Sequence, residues 1–240
     1  MRIVQILILS ILCSAASADE WRYQVVPYIW WPNFQAESNG DVTMAPNRNN
    51  LVFETETKLE AAFLVYTAAT KDRHTFSFEF DWVDVNTGGE SNFPLFPSVD
   101  IDWELFAYTL GYDYKIIEGR TESDGVSLGV GARYFDLDIE ATLKANLIPD
   151  ITVGVSDTWT DGFVALHGRQ TIGDSGKWYV SGMFLGGGGG SDQMLDYGVS
   201  IGYRWSDRLF SSVGYRALEV EIDDIELTQD GTIIAVGWKF

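Results

Sequence analysis

The chain has 240 residues with 14% aromatics, 24 glycines, one cysteine and a formal net charge of −19. That length is one domain's worth. A carboxylate excess of this size disfavours a nucleic-acid surface, which needs clustered cations, and a lone cysteine excludes an internal disulfide.

The first element is an export signal. Met1 and Arg2 make a short positive start, residues 3–12 are apolar, and Ala16-Ser17-Ala18 is an A-x-A site. Cleavage is therefore expected between Ala18 and Asp19, leaving 240 minus 18, or 222, residues. The stretch is too short for a helical anchor. Cys13 raises a lipoprotein alternative, but Leu12 before it is not small. After residue 18 no run is apolar for long enough to cross a membrane as a helix.

Beyond the export signal the chain alternates. Trp21, Tyr23, Val25, Ile29 and Trp31 oppose Arg22, Gln24 and Tyr28; Phe76, Phe78, Phe80 and Trp82 oppose Ser77, Glu79 and Asp81. Phe106, Tyr108, Leu110, Tyr112 and Tyr114 oppose Ala107, Thr109, Gly111 and Asp113, and Leu128, Val130 and Tyr134 oppose Gly129, Gly131 and Arg133. Near the end Tyr197, Val199, Ile201, Tyr203 and Trp205 oppose Gly198, Ser200, Gly202 and Arg204. The last segment sets Ile234, Val236, Trp238 and Phe240 against Ala235, Gly237 and Lys239. Period two is the signature of strands. An aromatic-rich face opposite glycine, serine and isolated charges predicts a lipid-facing outside and a crowded, narrow inside. A soluble sandwich or lipocalin-like barrel is the competing reading.

Ten strands are predicted, near 21–35, 55–70, 73–86, 100–116, 125–144, 152–171, 176–187, 194–205, 208–222 and 227–240. Eight is the alternative, because the second segment mixes its faces and the seventh runs into glycines. Asp72-Arg73, 119–125, 173–176 and Ser206-Asp207 read as short turns, and 36–54, 87–99, 145–151, 188–193 and 223–226 as loops of the opposite end. Short periplasmic turns, longer outer loops and periplasmic termini accompany an even strand number. The fold expected is thus an all-β, closed antiparallel transmembrane β-barrel over residues 19–240. Gly186 to Gly190 lack the lysine of a phosphate loop and imply close backbone approach. Pro27 implies a bulge, or a break in pairing with one neighbour.

Several stretches now carry a resemblance: WRYQVVPYIWW (21–31), GARYFDLD (131–138), WTDGFVALHGR (159–169), GGGGGSD (186–192), GYRWSDRL (202–209) and GYRALE (214–219). They resemble a family of small proteobacterial outer-membrane barrel proteins of the outer-membrane β-barrel superfamily. The resemblance implies that fold and that location, and no substrate. The terminal Trp238 and Phe240 look like the family's C-terminal sorting signal, read by the barrel assembly machinery.

Two charge constellations are candidate sites. The predicted lumen set is Arg22, Glu79, Asp81, Asp113, Arg133, Asp161, Arg169, Arg204, Arg216 and Lys239, with Glu79, Asp81, Arg133 and Arg216 as cross-lumen partners. Buried charges must pair or stay hydrated, so the set forms either an ion-pair plug or a thin hydrated pore. The second is acidic. Asp100, Asp102 and Glu104, and Asp136, Asp138 and Glu140, each place three carboxylates on one strand face. These, with other carboxylates assigned to the rim, Asp196 among them, could hold Ca²⁺ or Mg²⁺ and meet lipopolysaccharide. The bland reading is solvated loops. No resident cofactor is expected.

No catalytic residues are expected either. Of the two histidines, His74 lies by a turn. His167 is six residues from Asp161, about 20 Å along a strand, and Ser200 or Ser212 would reach it only across the lumen. The functions left open are a narrow channel or small-solute transporter, a structural or surface-interaction barrel, and, more distantly, a lipid-modifying enzyme.

Overall fold

The structure is a computed structural model and describes residues 21–38, 54–93, 96–146, 149–223 and 225–240. The export signal and the Ala18–Asp19 junction lie outside them. Ten strands are formed among the described residues: β1 (Arg22–Ser38), β2 (Glu54–Lys71), β3 (His74–Phe93), β4 (Phe96–Glu118), β5 (Gly125–Lys144), β6 (Ile151–Ile172), β7 (Trp178–Gly188), β8 (Gln193–Arg204), β9 (Leu209–Ile222) and β10 (Ile225–Lys239). Each pairs antiparallel with its chain neighbours, and β1 pairs with β10 to close the barrel. The eight-strand alternative is thereby set aside.

A belt of apolar side chains circles the outside on every strand. It includes Ile29 (54% exposed), Phe63, Phe76, Leu110 (63%), Val130, Val164 (65%), Phe184, Val199, Val213 and Ile234. An exposed apolar surface that is continuous around a closed wall is far larger than the patches that soluble proteins carry. It is the surface of a barrel bathed in lipid. Aromatic rings flank it at both ends. Trp178, Tyr203 and Trp205 cluster toward the termini, with centroids 5.0 and 4.8 Å apart. Trp82, Phe106, Tyr108 and Tyr134 do so toward the other end.

Spanning a bilayer takes about 9–11 residues per tilted strand. β1 to β6 have 17 to 23, so they project well past the belt. This corrects two of the expected loops. β3 and β4 are joined by residues 94–95, where a loop over 87–99 was predicted; β9 and β10 are joined by residues 223–224. Between those strands the length is in the strands themselves, whereas residues 145–150 and 189–192 connect β5 to β6 and β7 to β8 as expected, and residues 39–53 of the expected 36–54 loop lie outside the described residues. Gly173 and Gly176, at φ 71° and 66°, form the β6–β7 turn expected from their sequence, since glycine enters that region without a Cβ penalty.

Pairing is not uniform. β1 bonds to β10 as far as Ser38, but to β2 only over Arg22–Tyr28. β6 bonds to β7 only from Gly162 onward, although it pairs with β5 from Ile151. Pro27 makes no bulge: the β1–β10 register is the same at Val25↔Trp238 and Tyr28↔Ala235, with a gap between. The missing proline N–H breaks the pairing locally and leaves the register intact. In the glycine run, a Cβ on Gly190 would come 2.8 Å from Thr160 N and one on Gly187 would collide with the Gly162 carbonyl, so close backbone approach is what those glycines serve.

The interior differs from expectation in one respect. Small and polar residues were predicted throughout. Instead Trp30, Leu64, Val83, Val85, Phe135, Leu137, Trp159, Met194, Leu218 and Val220 form a buried apolar core inside the half away from the termini. Phe135 stacks on Trp159 at 4.8 Å and 21°. A cavity of about 30 Å³ lies between Trp103, Phe135, Trp159, Val220, Leu227 and Gln229.

Candidate functional site

Midway along the lumen, side chains from six strands meet in one network. Arg133 (1% exposed) and Arg216 (3%) are inside, as alternation placed them. Arg216 donates from Nε to Asp196 Oδ1 at 2.9 Å, from Nη2 to Asp196 Oδ2 at 2.7 Å and from Nη1 to Glu79 Oε1 at 3.0 Å. Arg133 donates from Nη1 to Asp196 Oδ2 at 2.6 Å, from Nη2 to Glu79 Oε2 at 3.4 Å and from Nε to Thr109 Oγ1 at 2.7 Å. The Tyr28 hydroxyl accepts from Arg216 Nη1 at 2.9 Å. The same hydroxyl also lies 2.6 Å from Glu79 Oε1 and 2.5 Å from Asp81 Oδ1, and its single proton can be donated to one of the two at a time. Strands β1, β3, β4, β5, β8 and β9 are thus tied across the lumen. Two guanidiniums forked on shared carboxylates are the strong form of buried pair.

Asp196 is the residue that the sequence reading misplaced. It was grouped with the rim carboxylates and is fully buried at the centre. The signal was present: Asp196 has the parity of Gly198, Ser200, Gly202 and Arg204, which were assigned inward. Below the network is a polar cavity of about 70 Å³, lined by Tyr66, Glu79, Asp113, Arg133 and His167 among others, with room for a few waters. His167 Nδ1 lies 2.7 Å from Asp113 Oδ1. The pair reaches across β5 above Gly129, where a Cβ would strike the Asp113 carboxylate. Asp113, not Asp161, is therefore the acid beside this histidine. His74 Nδ1 lies 2.8 Å from the Tyr112 hydroxyl on the outer face.

The remaining predicted lumen residues fall elsewhere. Asp161 (0% exposed) accepts from Gly190 N, Ser191 N, Ser191 Oγ and Trp159 Nε1, holding the β7–β8 turn. Arg22 pairs with Glu122. Arg169, Arg204 and Lys239 sit at the termini end of the lumen. Arg204 Nη2 donates to Thr171 Oγ1 at 3.0 Å and Lys239 Nζ to Ser123 Oγ at 2.9 Å. The Arg169 guanidinium lies 3.5 Å over the Tyr179 ring.

At that same end Asp124, in the β4–β5 turn, is fully buried. It accepts from Thr171 N at 3.0 Å, Thr171 Oγ1 at 2.7 Å and Thr121 N at 3.1 Å. Burial opposes its ionisation, but the hydrogen bonds from Thr171 and Thr121 outweigh it and hold the carboxyl below its usual pKa. A depressed carboxyl contributes stability above its unfolded pKa of about 3.9, and loses it as pH falls through the folded value. Asp124→Asn is expected to cost roughly 1–3 kcal/mol at pH 7. In urea titrations the gap from the parent should close below about pH 4; a gap that persists in acid would show that the charge is not what Asp124 contributes.

The acidic triplets lie on the outward faces of β4 and β5, beyond the aromatic ring. Asp102 is directly opposite Glu140, and Glu104 opposite Asp138. Asn86 Nδ2 donates to Asp102 at 2.6 Å and Trp82 Nε1 to Glu104 at 3.1 Å. Lys144 Nζ is 3.5 Å from Asp100. Asp136 pairs in register with Phe106. These residues are strand wall rather than loop, and among the described residues no three histidine, cysteine or carboxylate groups converge as a metal site would require.

No family model and no curated protein matches the sequence. Solved structures do match. The outer-membrane protease OmpT from Escherichia coli aligns over 93% of this chain and 97% of its own at 9% identity, with a TM-score of 0.52. The chain has the fold of the bacterial outer-membrane β-barrels. The translocator domain of the autotransporter NalP from Neisseria meningitidis (9% identity, 100% and 96% covered, TM-score 0.39) and the outer membrane protein OprG from Pseudomonas aeruginosa (10%, 93% and 96%, 0.36) also match. At such identities the likeness concerns the fold and no residue of the lumen.

Proposed function

We propose that this chain is an integral outer-membrane protein, termini toward the periplasm, that acts at its surface and does not conduct through its lumen. The observation that carries this reading is the Arg133–Asp196–Arg216–Glu79 network, which crosses the lumen with every one of these side chains at least 86% buried. The apolar core above it adds a second block, because ions and polar solutes lose hydration there without replacement. What remains to act is the outer wall. Like charges directly opposite one another weaken a sheet, so the Asp102/Glu140 and Glu104/Asp138 pairs fit a face that meets divalent cations and, through them, the phosphates of lipopolysaccharide. Planar-bilayer recording of the purified barrel tests the proposal. A flat trace at all voltages and salts is expected; discrete, reproducible conductance steps would restore the narrow-channel reading.

A further inference from the structure

We propose that the termini end of the lumen is a binding site for a small oxyanion of the phosphate class. This is independent of whether the lumen conducts. Five cations lie near one another at this end: Arg22 from β1, Lys115 from β4, Arg169 from β6, Arg204 from β8 and Lys239 from β10. They surround the inturned β4–β5 turn. Lys115 Nζ donates to the Glu122 carbonyl at 2.6 Å and Lys239 Nζ to Ser123 Oγ at 2.9 Å. Arg204 reaches Thr171, which binds Asp124. Arg169 and Lys239 both lie against the Phe210 ring, at 5.7 and 5.6 Å from its centroid.

The carboxylates in this group do not balance the cations. Asp124 is committed to Thr121 and Thr171. Glu122 pairs with Arg22 and is 75% exposed. Arg169 Nε, Arg169 Nη2 and Arg204 Nε are out of solvent and face no hydrogen-bond acceptor; what the Arg169 guanidinium has instead is the Tyr179 ring, 3.5 Å beneath it. Three donor nitrogens out of solvent without an acceptor, on two arginines that are themselves half-buried, are costly to keep. The central network shows the contrast: there both guanidiniums, Arg133 and Arg216, donate to carboxylates, and no nitrogen of either is left buried without an acceptor. In a chain of net charge −19, an excess of cations gathered at one end of the lumen, with guanidinium nitrogens left without an acceptor, has the chemistry of a tetrahedral oxyanion site. Such an anion accepts several N–H bonds and offsets mutual repulsion.

Isothermal titration of the purified full chain in zwitterionic micelles, with inorganic phosphate at constant ionic strength in a chloride buffer, tests this. A saturable one-site heat is expected. Arg169→Gln combined with Arg204→Gln should weaken it roughly tenfold or more, the equivalent of losing one or two charge-assisted bonds. Lys177→Gln, which removes a charge from the outer surface of the same end, should leave it unchanged. Heat-dependent gel mobility reports that each variant is folded, and Arg204→Lys serves if the double variant does not fold. Methyl phosphate distinguishes a phosphate monoester, which should bind comparably, from a site that takes only the free ion. Absence of saturable heat with the folded parent chain would overturn the proposal, as would a folded double variant that binds as tightly as the parent or a Lys177→Gln loss as large as the double variant's.

Discussion

Replacing Arg216 with methionine should destabilise the barrel by about 3–5 kcal/mol in a reversible urea titration in lipid vesicles, the usual cost of breaking one side of a buried pair. Asp196, 0% exposed, would lose two of its three guanidinium N–H donors, and Glu79 would lose its shorter arginine contact. Arg133 could not take over, because its Nε already serves Thr109 and its Nη1 already serves Asp196. The cost would come from the carboxylates left behind and not from the arginine removed. Arg216→Met combined with Asp196→Asn and Glu79→Gln should therefore recover part of the loss. A single variant within about 1 kcal/mol of the parent, the range of an exposed pair, would mean that water fills the lumen and screens the network.

Phe135→Ala should cost a comparable amount, about 3–5 kcal/mol, for a different reason. Phe135 is 1% exposed, stacks on Trp159 and has the Arg133 guanidinium 5.9 Å from its ring. Its removal would enlarge the 30 Å³ space that it already lines, and a rigid barrel wall cannot collapse into the gap. The prediction is checked by the same urea titration. A loss below about 1 kcal/mol would show that the upper lumen is loosely packed and that the apolar residues there are not a core in the sense of close packing.

Fold was legible because a lipid-bathed barrel writes its two faces into the chain at period two. Leu110, Val130, Val199 and Ile234 are exposed where that pattern put them. The segment that alternated poorly, β2, has a physical cause. Its inner face carries Ala62 and Leu64 against the apolar core, while Phe63 lies outside at 54% exposure. Both faces are apolar, so the period disappears. The same cause hid the core: Trp30, Trp159 and Phe163 have inward parity, but the expectation of a polar lumen left no place for them. The charges were legible as a set and not as pairs. Parity put Glu79, Asp81, Arg133 and Arg216 inside, but which guanidinium meets which carboxylate depends on strand stagger around the barrel, which the alternation within one strand does not record. Asp196 shows the cost of letting a residue's charge override its parity.

The uneven pairing of β1 bears on how the molecule comes together. Along the rest of the wall, strands adjacent in sequence form local hairpins that close over short chain segments. β1 is bonded to its sequence neighbour only as far as Tyr28, and to β10 out to Ser38. Contacts between the two extremes of a chain carry the largest loop-closure entropy and form late. The strand made first is thus the one secured last. Until β10 is in place, the upper half of β1, with its exposed Trp31, is a free edge of the kind that pairs with other chains, and the interval before closure is when this protein is most open to misassembly.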